Sequence, residues 1–350
     1  MKVTVNLSLL NVNIFLLLIA VLLMNTGCND RPDETAATGT EIQTKGFVDV
    51  LDDELENILN IHAEPEILGK GFQWTEGPVW VEEHSFLLFS EIPANTIHRW
   101  SESDGITPYL NPAGYTGDSG RGGELGSNGL IIGINGELLL CQHGDRRIAR
   151  MEAPLHQPAA EFTTIAGTYL GSRFNSPNDL VQHSSGSIYF TDPPYGLEGY
   201  VDDPERELDF QGVYRVDTDG TVTLLTDELS RPNGLAFSPD ESLLYVANSD
   251  PGRAIWMVYD VLEDGGIANG RLFYDATEHV GAEPGLPDGM KVKNDGYVFA
   301  TGPGGVWIIS PDAKPLGIIK TGEFISNVAF DAEESTLFMT ANSYLLRLKL

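Results

Sequence analysis

The stretch SRPNGLAFSPDESLLYVANSD, residues 230–250, decides how the chain is read. Pro232, Asn233 and Gly234 lead into an apolar run. Ser238, Pro239 and Asp240 turn it, and residues 243–248 return as a second strand. Asn233 is the unexpected residue, an amide at the mouth of a strand that goes on to Leu235 and Phe237. Similar arrangements recur along the chain. Glu76 opens EGPVWVEEHSFLLFSE, Asn128 opens NGLIIGINGELLLCQH, and Asn178 opens NDLVQHSSGSIYFTDP. Asp288 opens DGMKVKNDGYVFATGP, and Asn327 opens NVAFDAEESTLFMTAN. Each unit has a polar opener, a short apolar strand, a turn rich in Gly, Asp, Glu or Ser, and a second apolar strand.

A third strand follows in every unit: IHRW, RIARM, GVYRV, AIWMVYD, GVWIIS and YLLRLKL. A fourth is visible in some, as ITPYL and TVTLLT. Four short strands every ~40–50 residues predict an all-β fold, a six-bladed β-propeller with four-stranded antiparallel blades. The last unit ends after three strands. The N-terminal segment HAEPEILGKGF is expected to supply its fourth, closing the ring and covering two sheet edges.

The remaining composition sets limits. With 350 residues and 41% hydrophobic content, the chain has enough material for one large all-β unit or two average domains. A net charge of −30 argues against a nucleic-acid partner and against docking on an anionic membrane surface. Lys2 precedes an apolar run over residues 14–24, which has the length of a signal-peptide core. Thr26 and Gly27 then precede Cys28 in a lipobox-like setting, although Asn25 stands where leucine is usual. The expected organisation is a lipoprotein-type signal peptide over 1–27, a tether with a short amphipathic helix over 28–60, and the propeller over 61–350. The mature protein is expected in the periplasm or cell envelope of a bacterium, with membrane contact only through a lipid anchor at Cys28. Cys141, inside an apolar stretch, reads as a buried small hydrophobe.

In a propeller the innermost strand of each blade lines a central channel, so equivalent openers converge on one mouth. Asn and Asp also favour turns, and any single Asn-Gly pair is explained that way. The set is different: two carboxylates and four amides, all offering oxygen. Crowded carboxylates need a counter-charge. Oxygen donors with no clustered His or Cys point to Ca2+, with Mg2+ or Mn2+ as alternatives.

The segments TEGPVW, CQHGDRRI, SPNDLV with GSIYFTDPPYGL, RPNGLAFSPDESLLYVANS and GLPDGMKVKNDGYVFATGPGGVWI carry a resemblance. The chain resembles the SMP-30/gluconolactonase/luciferin-regenerating-enzyme family over roughly residues 66–350. That resemblance implies a single catalytic divalent metal, with Zn2+ added to the candidates, held by Glu76, Asn178, Asn233 and Asp288. It implies hydrolysis of sugar lactones, in which the metal polarises the ester carbonyl. Asp288 is the expected base, and water activated directly by the cation is the alternative. Asn128 and Asn327 are expected as pocket groups. His143, Arg173 and Tyr195 are expected to contact substrate or shape the pocket wall. Residues 145–147 read as a turn with charge pairing, and Asp192 as a strand-end cap. Two other readings remain open: a phosphotriesterase or esterase on the same site, and a binding propeller in which Ca2+ only stabilises the ring.

Overall fold

The computed structural model describes residues 42–118, 120 and 122–350. The expectations for residues 1–41, the signal peptide and an anchor at Cys28, lie outside the described residues. Blade 1 comprises Thr75–Val81, Phe86–Glu91, Thr96–Ser101 and Gly105–Leu110. Blade 2 comprises Ser127–Ile132, Leu138–Gln142, Arg147–Met151 and Phe162–Ala166. Blade 3 comprises Leu180–Gln182, Ile188–Asp192, Gly212–Val216 and Val222–Thr226. Blade 4 comprises Pro232–Phe237, Leu243–Asp250, Arg253–Val261 and Ile267–Asp275. Blade 5 comprises Met290–Val292, Val298–Gly302, Gly305–Ile309 and Pro315–Lys320. Blade 6 comprises Asn327–Phe330, Thr336–Ala341, Tyr344–Lys349 and, from the N-terminal side, Glu66–Lys70. The six-bladed propeller expected from the repeat is the fold. Glu66–Lys70 closes the ring antiparallel to Tyr344–Lys349, with Ile67 opposite Leu346.

Apolar clusters fill the seams between neighbouring blades. The second strands show why they read as unbroken apolar runs. In Leu138–Gln142, Leu138 and Leu140 pack into the seam with blade 1, while Leu139 and Cys141 pack into the seam with blade 3. Both faces are buried, so alternation disappears. Cys141 is the buried hydrophobe expected of it. At the closing seam, Trp80 stacks on Phe338 with ring centroids 5.5 Å apart.

One element differs from its sequence reading. Residues 42–60 do not form an amphipathic helix. Phe47–Val50 adds a fifth strand to blade 5, paired with Pro315–Lys320, and Asp53–Asn57 is a short 3-10 turn. Asp52 caps that turn, its carboxylate accepting from Glu54 N at 3.0 Å. Val48, Leu55 and Leu59 are buried in the seam between blades 5 and 6. The outer edge of blade 5 offers unpaired backbone groups, and a Val-rich segment satisfies them better as strand than as helix. The compact unit therefore runs from Ile42, not from Ile61.

Candidate active site

Three openers reach the channel through a local irregularity in the inner strand. Register slips between Glu76 and Val79, between Ser127 and Leu130, and between Pro232 and Leu235. Such bulges re-aim side chains, and here they bracket Glu76, Asn128 and Asn233. The glycines after the openers are not hairpin residues. A Cβ on Gly77, whose φ is 50°, would stand 2.0 Å from Asn128 O, and one on Gly289 would stand 2.0 Å from Asn327 Cγ. The inner strands approach too closely for any side chain there. Backbone bonds tie neighbouring blades at this level: Gly129 N donates to Asn178 O at 2.8 Å, and Gly289 N donates to Ser326 O at 2.7 Å.

A cavity of about 530 Å3 opens over this ring. Glu76, Asn128, Asn178, Asn233 and Asp288 line it, with Tyr195 on its wall. The structure thus brings together six of the residues singled out from the sequence. Asn327 lies just behind. Its Nδ2 donates to Asp179 Oδ2 at 3.3 Å, and its side chain also hydrogen-bonds Glu76. His143 is fully buried beside the cavity, with Nδ1 3.2 Å from a carboxylate oxygen of Glu124, which does line it.

Arg173 is not brought to the site. The hairpin of Thr168–Tyr169 and Ser172–Arg173 carries it to a separate surface depression with Asp145 and Glu198. There its guanidinium donates to Asp145 O at 3.3 Å, and Glu207 accepts from its backbone N–H at 2.7 Å. The neighbouring turn behaves largely as read: Asp145 pairs with Arg147 at 2.9 Å, while buried Arg146 donates to the carbonyls of Phe174 and Glu205. Asp192 does more than cap a strand. Its two oxygens accept from Asn175 N and Ser176 N, both at 2.8 Å, and so fix the loop that delivers Asn178. Burial raises its carboxyl to about 7 against those same hydrogen bonds.

Sequence reasoning missed Asp179, Glu124, Arg231 and the aromatic pair Trp74 and Phe324. Asp179 had a signal. It follows an opener where four other units carry glycine, at positions 77, 129, 234 and 289. It is buried, and its Oδ1 accepts from Leu180 N at 2.9 Å. The others sit in loops between blades, where the repeat gives no alignment.

The electrostatics are those of a site short of positive charge. Burial raises the Glu76 carboxyl to about 8, against a hydrogen bond from Gly77 N, and the charge of Asp179 adds to the rise. Burial likewise raises Asp288 well above the carboxylate range, reinforced by repulsion from Glu76, Asp179 and Glu124; Asn233 opposes the shift by hydrogen-bonding to Asp288. Asn128 Oδ1 is buried and has no hydrogen-bond partner among the described residues. Two carboxylates, convergent amide oxygens and one unused buried oxygen fit a hard divalent cation. Among the described residues no cluster of three or more His, Cys, Asp or Glu is arranged for a metal, so amide oxygens have to complete such a site.

Comparison with known proteins agrees with this architecture. Residues 74–343 match the family described as the SMP-30/Gluconolactonase/LRE-like region. A gluconolactonase of Zymomonas mobilis is 37% identical over 312 residues, covering 87% of this chain and 86% of that protein. A 6-deoxy-6-sulfogluconolactonase of Pseudomonas putida is 28% identical over 82% of this chain and 87% of its own length. The solved structure of a gluconolactonase from Xanthomonas campestris superposes with a TM-score of 0.75 at 30% identity, covering 88% of this chain and 97% of that one. The chain belongs to the SMP-30/gluconolactonase/LRE-like family.

Proposed function

We propose that the protein is a divalent-metal-dependent lactone hydrolase that opens sugar lactones, with Glu76, Asn178, Asn233 and Asp288 as the protein ligands. One observation carries the reading: those four oxygen-bearing side chains meet at the floor of a single cavity, beside the unpaired Oδ1 of Asn128. The gluconolactonase relatives support the reaction class, and the donor set supports Ca2+ over a softer metal.

The cation would supply Lewis-acid polarisation of the ester carbonyl. The chain's own residues supply the rest. Asp288, oriented by its hydrogen bond from Asn233, takes a proton from water as the water oxygen bonds to the carbonyl carbon. The acyl carbon–oxygen bond of the ring then breaks, the alkoxide oxygen takes that proton, and a hydroxy acid leaves. Glu76 is held by Gly77 N at 2.8 Å and by Asn327, so it is a fixed rather than a mobile charge. The Trp74–Phe324 wall and the Tyr195 wall limit solvent access to the floor.

The test is steady-state hydrolysis of a panel of sugar lactones, aryl esters and a phosphotriester, with chelator or with Ca2+, Mg2+, Mn2+ or Zn2+ added back. Lactone turnover that disappears with chelator and returns with metal supports the reading. Turnover indifferent to chelator, or confined to the phosphotriester, overturns it.

A further inference from the structure

We propose that Arg231 makes this cavity selective for lactones bearing an anionic substituent, a carboxylate or sulfonate, at the end remote from the ester. The proposal rests on the lactonase reading of the site and adds the substrate class.

Arg231 is the one basic residue lining the cavity among the described residues. Its guanidinium makes no ion pair and no hydrogen bond to any described residue. Among the other described arginines, Arg99, Arg147, Arg150, Arg215, Arg271 and Arg347 each hold a carboxylate, and Arg146, Arg173, Arg206 and Arg253 donate to backbone carbonyls. The charge of Arg231 is felt by Asp250 and Tyr195 without direct pairing, so in a protein with 51 acidic and 21 basic residues its donors beside the cavity stay open to a ligand anion.

The backbone beneath it is fixed. Arg231 N donates to Asn248 Oδ1 at 2.8 Å, and Asn248, fully buried, donates in turn to Arg253 O at 2.8 Å. The nearby acid, Asp250, is occupied by Ser230 Oγ at 2.6 Å and Gly252 N at 2.8 Å. Pro232 follows directly and restricts the conformation of Arg231. An arginine on an anchored backbone loses less freedom on binding than one on a mobile loop, and its planar fork suits a carboxylate or sulfonate.

Position explains why an anion is tolerated in an acidic cavity. Arg231 is at the exposed rim, whereas Asn233, two residues on, is buried at the floor with Glu76. Tyr195 and Ser249, paired with each other, line the cavity with it and add hydroxyl donors. Trp74 and Phe324, with ring centroids 6.3 Å apart, form an apolar wall from the loops before blades 1 and 6. A lactone with its ester over the floor and its anionic end on Arg231 keeps that charge away from the floor carboxylates.

The full chain, Arg231→Gln and Arg231→Lys are assayed on three lactones of one ring size, ending in hydroxymethyl, carboxylate or sulfonate. Arg231→Gln is expected to lower kcat/KM about 10–100-fold on the two anionic lactones, mainly through KM, with a loss at least tenfold smaller on the neutral one. Arg231→Lys is expected to recover part of the anionic activity, because the charge returns without the fork. Equal losses on all three substrates, or none, overturn the proposal. Calorimetric titration with the ring-opened products separates the two readings. If no lactone is turned over but the anion-ended product binds more weakly to Arg231→Gln, the hydrolase reading fails and the anion site stands. If the neutral lactone is turned over and the anionic ones gain nothing from Arg231, the anion site fails and the hydrolase reading stands.

Discussion

The inner strands have two ends, and the two are built from different chemistry. At one end stand Glu76, Asn128, Asn178, Asn233 and Asp288, under a cavity of about 530 Å3. A few residues further along, on the inner strands of blades 1, 2, 5 and 6, Val79, Trp80, Leu130, Ile131, Val292 and Phe330 line a depression of about 330 Å3. There the basic group is Lys291, and Glu82 and Asp331 are the acids. The backbone is the same at both ends, and so is the need to pack six strands around one axis. Aliphatic and aromatic side chains meet that need at the second end. Buried carboxylates at the first end work against stability, because desolvating a charge without a partner is expensive. A fold that places them there gains something other than stability, which supports placing the proposed function at this mouth.

The strongest way to break this comparison is to remove a floor carboxylate. Asp288→Asn keeps the shape and removes the charge. It is expected to lower kcat/KM on a sugar lactone by ~10^3-fold or more while thermal unfolding of the cation-free protein moves up, since a repelled buried carboxylate is gone. Cation removal comes next. Exhaustive chelation is expected to lower turnover by ~10^2-fold or more, with recovery on adding back Ca2+ or Mn2+. The opposite end supplies the control. Trp80→Ala, which removes the stack on Phe338, is expected to destabilise the fold by about 2–4 kcal/mol in denaturant titration and to change kcat/KM by less than ~2-fold. Activity lost there in proportion to the floor variants would erase the distinction between the two ends.

A pH measurement sharpens it. The Glu76 carboxyl stands at about 8 in the folded chain, raised by burial from an ordinary 4.5. The folded state therefore holds a proton that the unfolded state releases. The resulting stabilisation is complete below the ordinary carboxyl range and is lost as pH rises through about 8. The Tm of cation-free protein is expected to fall from roughly pH 5 to pH 8, less steeply in Glu76→Gln or with saturating Ca2+. The smallest effect is expected at Arg173. Arg173→Ala should leave lactone kcat/KM within ~2-fold of wild type, because the side chain lies in another depression.

The propeller was legible because each blade repeats one pattern: opener, strand, turn, strand. The ring closure was legible because the sixth unit reads as three strands and HAEPEILGKGF offers a fourth. The floor was legible through the openers, which the repeat puts at equivalent positions. What was hidden follows the same logic. Residues 47–60 carry apolar spacing at Val48, Leu51, Leu55, Ile58 and Leu59 that fits a helix on its own, and only the free edge of blade 5 makes Phe47–Val50 a strand. Arg231, Glu124, Trp74 and Phe324 lie between the repeated strands, so nothing in the periodicity marks them as neighbours. Arg173 was misplaced for a different reason. It was expected in the pocket from the family resemblance, and the short hairpin of Thr168–Tyr169 with Ser172–Arg173 carries it to another depression.

The most direct measurement is anomalous scattering from a crystal of the full chain soaked in Mn2+. One peak is predicted, about 2.0–2.6 Å from side-chain oxygens of Glu76, Asn178, Asn233 and Asp288. Absence of any peak at saturating Mn2+, or a single peak held by other residues, would contradict the account.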